Sequence, residues 1–206
     1  LKPLGLYAKY IGSFYLGLLI LWALLLFVGY LVLKRRLPAL VRRISSPMAI
    51  AFSTASSEAV LPKLVEEMER FGCNNKIVSF VLPLGYSFNL DGSMMYMTFA
   101  SMFIAQAYNV TSITGDIGMQ ITMLLVFMLT SKGIAGVPRA SLVVVLATCG
   151  MFGLPKEGIG LILAIDVFCD MGRTMTNVLG NALATAAVSK WEGELANVPD
   201  QHVIHS

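Results

Sequence analysis

Five polar residues recur at helical spacing inside an apolar stretch that covers residues 158–188. They are Asp166, Asp170, Arg173, Asn177 and Asn181. At about 3.6 residues per turn they project from less than a quarter of the helix circumference. An Asp or Arg at the centre of a membrane helix costs about 2.5 to 3.5 kcal/mol, so this stripe cannot face lipid. Pairing of Asp170 with Arg173 explains neither Asp166 nor the two amides, and the stripe therefore predicts a binding or conduction site.

The rest of the chain is apolar enough for a lipid bilayer. Hydrophobic residues make up 56% of the sequence and charged residues 13%, with a mean hydropathy of +0.74, whereas soluble proteins have about 25% charged residues. The segment Tyr10–Leu33 is uncharged and, at about 1.5 Å per residue, long enough to cross a hydrocarbon core of roughly 30 Å. It has no signal-peptide cleavage pattern. We therefore expect an all-α, polytopic protein of the cell membrane.

The basic residues indicate the topology. Much of the net charge of +3 comes from a cluster after the first span, namely Lys34, Arg35, Arg36, Arg42 and Arg43. The positive-inside rule places loop 34–43 in the cytoplasm. Two later crossings, by residues 76–108 and 156–191, return the chain to the same side, so the polar tail 192–206 is expected in the cytoplasm as well. We expect lipid headgroups beside the cluster and no nucleic-acid partner, because no nucleic-acid-binding motif accompanies it.

Residues that carry catalytic or redox chemistry are few and scattered. The three cysteines, Cys73, Cys149 and Cys169, show no C-x-x-C spacing, which predicts neither a disulfide nor a metal site. An intramembrane enzyme with a serine nucleophile would need a general base, and both histidines lie in the polar tail. We therefore expect no enzyme activity and no organic cofactor.

Two apolar segments are interrupted near their middle by small and polar residues. The first break is Thr54–Glu58 and the second is Ser131–Pro138. Each half is too short to cross the bilayer, which predicts re-entrant hairpins. Between them Asn89–Ser93 interrupts a third apolar stretch and offers oxygen ligands suited to a cation. Paired interrupted segments indicate a transporter site at the bilayer midplane.

The chain thus divides into six predicted segments. They are a transmembrane helix at 6–36, a re-entrant hairpin at 38–72, a broken transmembrane helix at 76–108, a second re-entrant hairpin at 116–154, a substrate-binding transmembrane helix at 156–191 and a cytoplasmic tail at 192–206. Because the chain opens at Leu1 rather than Met, close to the first span, we expect it to be a fragment of a longer protein.

Four short motifs within these segments resemble, in their order along the chain, motifs of the dicarboxylate/amino acid:cation symporter family, the glutamate transporters. Thr54–Glu58 resembles the first hairpin tip, Asn89–Ser93 the unwound segment, Ser131–Pro138 the second tip and Asp170–Asn177 the binding helix. The chain looks most like the bacterial proton, or proton and sodium, glutamate/aspartate symporters. The resemblance implies inward symport of L-glutamate and L-aspartate with protons, sodium or both, an elevator-type movement, and a homotrimer in the full-length protein.

The resemblance also implies roles for individual residues. Arg173 would hold the side-chain carboxylate of the substrate, and Asp170 its ammonium. The implied substrate-binding set is Arg173, Asp170, Asn177, Thr174, Ser56, Ser57, Ser93 and Val137. The implied cation-binding set, with Na+ as the metal, is Gly85, Ser87, Asn89, Asp91, Ser131, Ile134, Asn177 and Asn181.

Two departures bear on the coupling ion. Asn181 stands where sodium-coupled members carry an aspartate, which predicts a weaker sodium site because affinity follows ligand charge. Met97 stands where animal relatives place a proton-carrying glutamate, which leaves Asp91 and Asp170 as the candidates for that role.

Other departures and alternatives bear on the substrate. Ala55 and Met171 occupy positions where some relatives place a second arginine, so none is expected beside Arg173. The nearest alternative function is C4-dicarboxylate symport within the same family, and Asp170 favours an amino acid because an ammonium needs an anion. A channel-like pore is the alternative in a different class.

Overall fold

Helices form the whole of the ordered secondary structure in the part of the chain that the structure describes. The computed structural model describes residues 2–132 and 138–196. In these ranges the α-helices are α1 (Lys2–Leu33), α2 (Leu37–Thr54), α3 (Leu61–Phe71), α4 (Asn75–Phe88), α5 (Asp91–Ala107), α6 (Thr111–Thr114), α7 (Ile117–Thr130), α8 (Ala140–Cys149), α9 (Ile159–Leu163) and α10 (Asp166–Trp191). The same ranges contain no β-strand beyond one isolated bridge, which confirms the all-α prediction.

The first helix and its continuation present a large apolar surface. The helical stretch Gly5–Thr54 contains a window that is long and apolar enough to cross a membrane, and 22% of that window is buried. Leucines along α1, such as Leu16, Leu24 and Leu31, are more than half exposed. Water disfavours an exposed apolar face of this length, so the surface suits lipid or further protein.

Helices α2 and α3 form a helix–turn–helix at the position of the first predicted hairpin. Helix α2 ends at Thr54 because Ala55 adopts a left-handed conformation (φ 50°, ψ 27°). A 3-10 turn at Glu58–Val60 then leads into α3. The two helices pack on each other and on α10 through buried residues that include Leu40, Ile44, Leu64, Met68 and Val178.

The third apolar stretch is two helices that meet at a non-helical pair. Asn89 (φ −114°, ψ 72°) and Leu90 (φ −110°, ψ 60°) leave helical geometry between α4 and α5. Directly after this break, Gly92 lies against the backbone carbonyl of Arg173, and a Cβ atom there would collide with it. The start of α5 can therefore press against α10 only with glycine at this position.

The second hairpin region and the binding helix follow. Asp116 caps α7 by accepting hydrogen bonds from the N–H groups of Gly118 (2.7 Å) and Met119 (3.2 Å). Within 156–191, where the sequence predicts one helix, the structure has α9 and α10 with a break at Ala164 and Ile165. Helix α10, which carries the polar stripe, therefore begins at Asp166.

Helix α10 is the centre of the packing. It contacts α1, α2, α4 and α5 along its length. One apolar cluster, which includes Phe14, Tyr96, Ile104, Phe127 and Ile162, surrounds its N-terminal end. A second cluster, which includes the α2–α3 residues named above, surrounds its C-terminal half. The polar stripe of α10 is enclosed between helices rather than left on the outside.

The first residues after α10 are held by hydrogen bonds, although all of them but Leu195 are exposed. The guanidinium of Arg36 donates to the carbonyls of Phe71 (3.1 Å) and Ala196 (2.7 Å). Leu195 forms a bridge with Cys73. This contact ties the ends of α1, α3 and α10 together. The histidines His202 and His205 lie outside the described residues.

Candidate functional site

The polar stripe of α10 is buried along its whole length. Each of its five members is at most 2% exposed, namely Asp166, Asp170, Arg173, Asn177 and Asn181. The stripe faces protein, as the cost of exposing these groups to lipid requires.

Asp170 and Arg173 form a buried ion pair one turn apart on α10. The Arg173 Nε–H donates to Asp170 Oδ1. Arg173 also donates from Nη1 to the hydroxyl of Ser93 at 3.0 Å, and the Thr174 hydroxyl donates to the Asp170 carbonyl at 2.7 Å. Asp170 and Arg173 neutralise each other in apolar surroundings. A ligand can therefore pair with one of them only if the other also gains a partner of opposite charge.

Asn177 joins α10 to the start of α5. Its Oδ1 accepts hydrogen bonds from the N–H groups of Gly92 (2.9 Å) and Ser93 (3.3 Å), and its Nδ2 donates to the Ser93 hydroxyl (3.0 Å). The amides of a helix's first turn have no partner within the helix. Asn177 therefore caps α5 from another helix and fixes Ser93 beside Arg173.

A second polar group lies one turn further along α10, at the break between α4 and α5. Asn89 donates from Nδ2 to Asn181 Oδ1 at 3.1 Å. A Cβ atom on Gly85 would stand 2.5 Å from the same oxygen, and one on Gly180 would collide with the Asp91 carboxylate. Because the two glycines have no Cβ atom, the side-chain oxygens of Asn181 and Asp91 can lie against their backbone. Hard cations bind such clustered oxygens.

Other predicted residues lie at the edges of these two groups. Ser57 is buried at the turn between α2 and α3, and Ser56 accepts a hydrogen bond from the Ala59 N–H at 3.3 Å. Ser131 is buried at the end of α7, where it donates to the Met128 carbonyl at 3.2 Å. Ser87 is half-buried on α4. Val137 and Ile134 lie outside the described residues.

Arg139 is a site residue that sequence reasoning missed. Its Nε lies 3.2 Å from Asp166 Oδ2, and its backbone N–H donates to Asp170 Oδ2 at 2.9 Å. It adopts a left-handed conformation (φ 65°) at the start of α8. Tyr96 donates a hydrogen bond to the other oxygen of Asp166. The sequence signal for it is an arginine directly after the second break, together with an acidic residue, Asp166, that the family resemblance leaves without a role.

The sequence matches a known transporter family over nearly its whole length. The family model described as the sodium:dicarboxylate symporter family matches residues 1–191. The chain belongs to this family. Members of the sodium:dicarboxylate symporter family are secondary transporters, so the chain belongs in a membrane, and the predicted family is confirmed.

Curated members of the family are similar to this chain at 45–54% identity. The proton/sodium-glutamate symport protein of Geobacillus stearothermophilus is 54% identical over 155 residues, which are 75% of this chain and 36% of that protein. The proton/glutamate-aspartate symporter of Escherichia coli is 50% identical over 153 residues, 74% of this chain and 34% of that protein. The C4-dicarboxylate transport protein of Stenotrophomonas maltophilia is 46% identical over 191 residues, 90% of this chain and 41% of that protein. The chain thus spans less than half the length of these symporters.

Proposed function

We propose that this protein is a secondary active symporter that brings L-glutamate and L-aspartate into the cell with protons, sodium ions or both. The observation that carries the proposal is the buried pair of Asp170 and Arg173 on α10. An acidic amino acid carries one ammonium and two carboxylates. A carboxylate and a guanidinium one turn apart complement its ammonium and its side-chain carboxylate.

The internal ion pair is replaced on binding. The ammonium of the substrate takes the place of Arg173 at Asp170, and the side-chain carboxylate of the substrate takes Arg173. Ser93 and Asn177, which already contact each other beside Arg173, border the same space. Both buried charges therefore stay compensated with and without substrate, which avoids the cost of leaving a buried charge alone.

C4-dicarboxylate symport is the second candidate, because relatives named as C4-dicarboxylate transport proteins are 45–46% identical to this chain. Asp170 argues against it. Succinate has no ammonium, so a succinate carboxylate that pairs with Arg173 would leave the buried Asp170 carboxylate without its cation. Like charges in a low-dielectric site repel strongly. We therefore place the chain with the amino-acid symporters.

The movement proposed is of the elevator type, with re-entrant hairpins at 38–72 and 116–154. Support for a lipid-facing second hairpin comes from one face of α7, where apolar side chains four residues apart are each more than half exposed: Ile117, Ile121, Leu125 and Leu129. We further place loop 34–43 and the C-terminus in the cytoplasm, lipid around the apolar faces, and a homotrimer in the full-length protein. Coupling cations would bind at Asn89, Asp91 and Asn181.

The test is uptake of labelled L-glutamate by the full-length protein in liposomes, with proton and sodium gradients imposed separately. Saturable, stereoselective uptake driven by either gradient is the expected result. Unlabelled succinate should compete poorly. Uptake that does not saturate would indicate a pore, and strong competition by succinate would indicate the dicarboxylate function.

A further inference from the structure

A lysine of the second hairpin reaches across to the broken helix. Lys132 follows the last residues of α7, and its ammonium donates a hydrogen bond to the backbone carbonyl of Phe88 at 2.6 Å. Phe88 is the last residue of α4. In the sequence from 117 to 138, Lys132 is the only ionisable residue. A single ammonium thus joins the otherwise uncharged part of the hairpin, residues 117–138, to the place where α4 stops.

The end of α4 is a site that attracts cations. The last carbonyls of a helix have no donor within the helix, and they carry the negative end of the helix dipole. Here the chain leaves helical geometry at Asn89, so the Phe88 carbonyl is left to other partners. In transporters, carbonyls at the ends of such broken helices coordinate the coupling cations. In this structure Lys132 contacts that carbonyl.

The charges nearby are balanced without any ion from solution. Asp91, just beyond the break, lies close enough to Lys132 for the two charges to interact. Asn181, on the opposite side of the break, contributes an amide that is neutral. Asp91 and Lys132 thus place a carboxylate and an ammonium at the break. A metal ion bound at the Phe88 carbonyl would be repelled by the ammonium of Lys132, which already contacts that carbonyl.

We propose that Lys132 is a tethered cation: its ammonium takes the position at the end of α4 that an alkali metal ion from solution would otherwise occupy. The inference rests on the proposed symport function and deepens it by naming a residue that sets the coupling ion. The contact holds the end of α7 at the end of α4 through the protein's own charge, so it needs no ion from solution. Removal of the ammonium leaves the Phe88 carbonyl open to a sodium ion from solution.

The experiment compares Lys132→Met with wild type in the full-length protein. Without sodium, proton-driven uptake of L-glutamate by Lys132→Met should fall tenfold or more, on the order expected for loss of one charged hydrogen bond. Added sodium should restore it, and the variant's uptake should depend on one more sodium ion than that of wild type. Lys132→Arg keeps the charge and should behave as wild type. Lys156→Met, which removes an exposed lysine at the base of the same hairpin, is the matched control.

A binding measurement separates this inference from the proposed function. Thermal unfolding of the purified protein is followed in sodium chloride and in choline chloride at equal ionic strength. Sodium should raise the Tm of Lys132→Met more than that of wild type or Lys156→Met, and this holds even if glutamate is not the substrate. If wild type takes up no glutamate, the proposed function fails while this comparison still decides the role of Lys132.

A cysteine variant adds a rescue test. Lys132→Cys treated with 2-aminoethyl methanethiosulfonate regains an ammonium, while methyl methanethiosulfonate leaves the position neutral. Cys73, Cys149 and Cys169 are buried, which favours labelling at residue 132. The ammonium reagent alone should abolish the added sodium requirement. Sodium-free uptake by Lys132→Met equal to that of wild type, or a defect that sodium does not relieve in a variant with wild-type Tm, would overturn the proposal.

Discussion

Arg139 and Asp166 form an ion pair between the second hairpin and the binding helix, with Nε and Oδ2 separated by 3.2 Å. The backbone N–H of Arg139 also donates to Asp170. One residue thus joins the hairpin to both carboxylates in the first turns of α10. Tyr96 holds the remaining oxygen of Asp166 from α5. The ion pair therefore fixes the residue before α8 against the same helix that carries the candidate substrate site.

Replacement of Arg139 by Gln should weaken L-glutamate binding about tenfold, because Asp166 keeps a buried charge that has lost its cation. The loss stays moderate since the arginine side chain is 54% exposed. Asp166→Asn should raise the KM for L-glutamate less in the Arg139→Gln background than in wild type, because the ion pair is already broken there. The measurement is a double-mutant cycle on the KM for uptake, with a coupling of about 1 kcal/mol expected. Strictly additive effects would contradict the proposed role of the pair.

Asp170→Asn should abolish L-glutamate uptake. The substitution removes the anion proposed for the substrate ammonium and leaves the Arg173 guanidinium buried without its partner. Glu157→Gln removes an exposed carboxylate near the base of the second hairpin and serves as the control, with unchanged uptake expected. The measurement is the initial rate of labelled L-glutamate uptake in liposomes. Wild-type uptake by Asp170→Asn would exclude the proposed role of this residue.

Arg173→Cys should shift the preference from acidic to neutral amino acids. The side-chain carboxylate of the substrate loses its guanidinium, while Asp170 still accepts the ammonium. Uptake of labelled L-serine by the variant, with L-aspartate as competitor, measures the shift. Aspartate that still competes with wild-type affinity would count against Arg173 as the carboxylate ligand.

Gly92→Ala should destabilise the protein by about 1 to 3 kcal/mol, the usual range for overpacking. The added Cβ would collide with the Arg173 carbonyl, which belongs to rigid backbone. Gly160→Ala is the matched control, since nothing lies within 4 Å of a Cβ built there. Thermal unfolding of the two purified variants measures the difference. Equal Tm values would show that α5 does not press on α10 as the structure indicates.

The helical character of the binding segment could be predicted because it depends on local spacing. The recurrence of Asp166, Asp170, Arg173, Asn177 and Asn181 defines one face of a helix whatever surrounds it, and the energetic cost of exposing that face requires its burial. The break at Asn89 and Leu90 was also predictable, since polar residues and glycine interrupt an apolar run there. These features need no knowledge of long-range contacts.

The contacts between segments could not be predicted in the same way. Asn177 caps a helix that begins 86 residues earlier in the chain. Its amide oxygen accepts hydrogen bonds from the N–H groups of Gly92 and Ser93, which belong to α5 and not to its own helix. Arg139 lies in a conformation that arginine rarely adopts, so no local pattern places its guanidinium at Asp166. Ala55 and Met171 predict only that no second arginine lies at those two positions. Arg139 supplies a second guanidinium from the other hairpin.

The separation of α9 from α10 is a further feature without a clear sequence signal. Ala164 and Ile165 are apolar and continue the hydrophobic pattern on both sides, yet Ile165 leaves helical geometry (φ −121°, ψ −4°). The break brings Asp166 to the first turn of α10, where an acidic side chain is favoured by the unpaired amides of the helix.

Binding of L-aspartate and succinate to the purified full-length protein tests the central claim most directly, because the two molecules differ only by an amino group. Isothermal titration calorimetry in the presence of the coupling ion measures both. If Asp170 holds the substrate ammonium, L-aspartate should bind on the order of a hundredfold or more tighter than succinate, since succinate leaves the buried carboxylate beside an anion. Equal affinities for the two ligands would contradict the assignment of this site to amino acids.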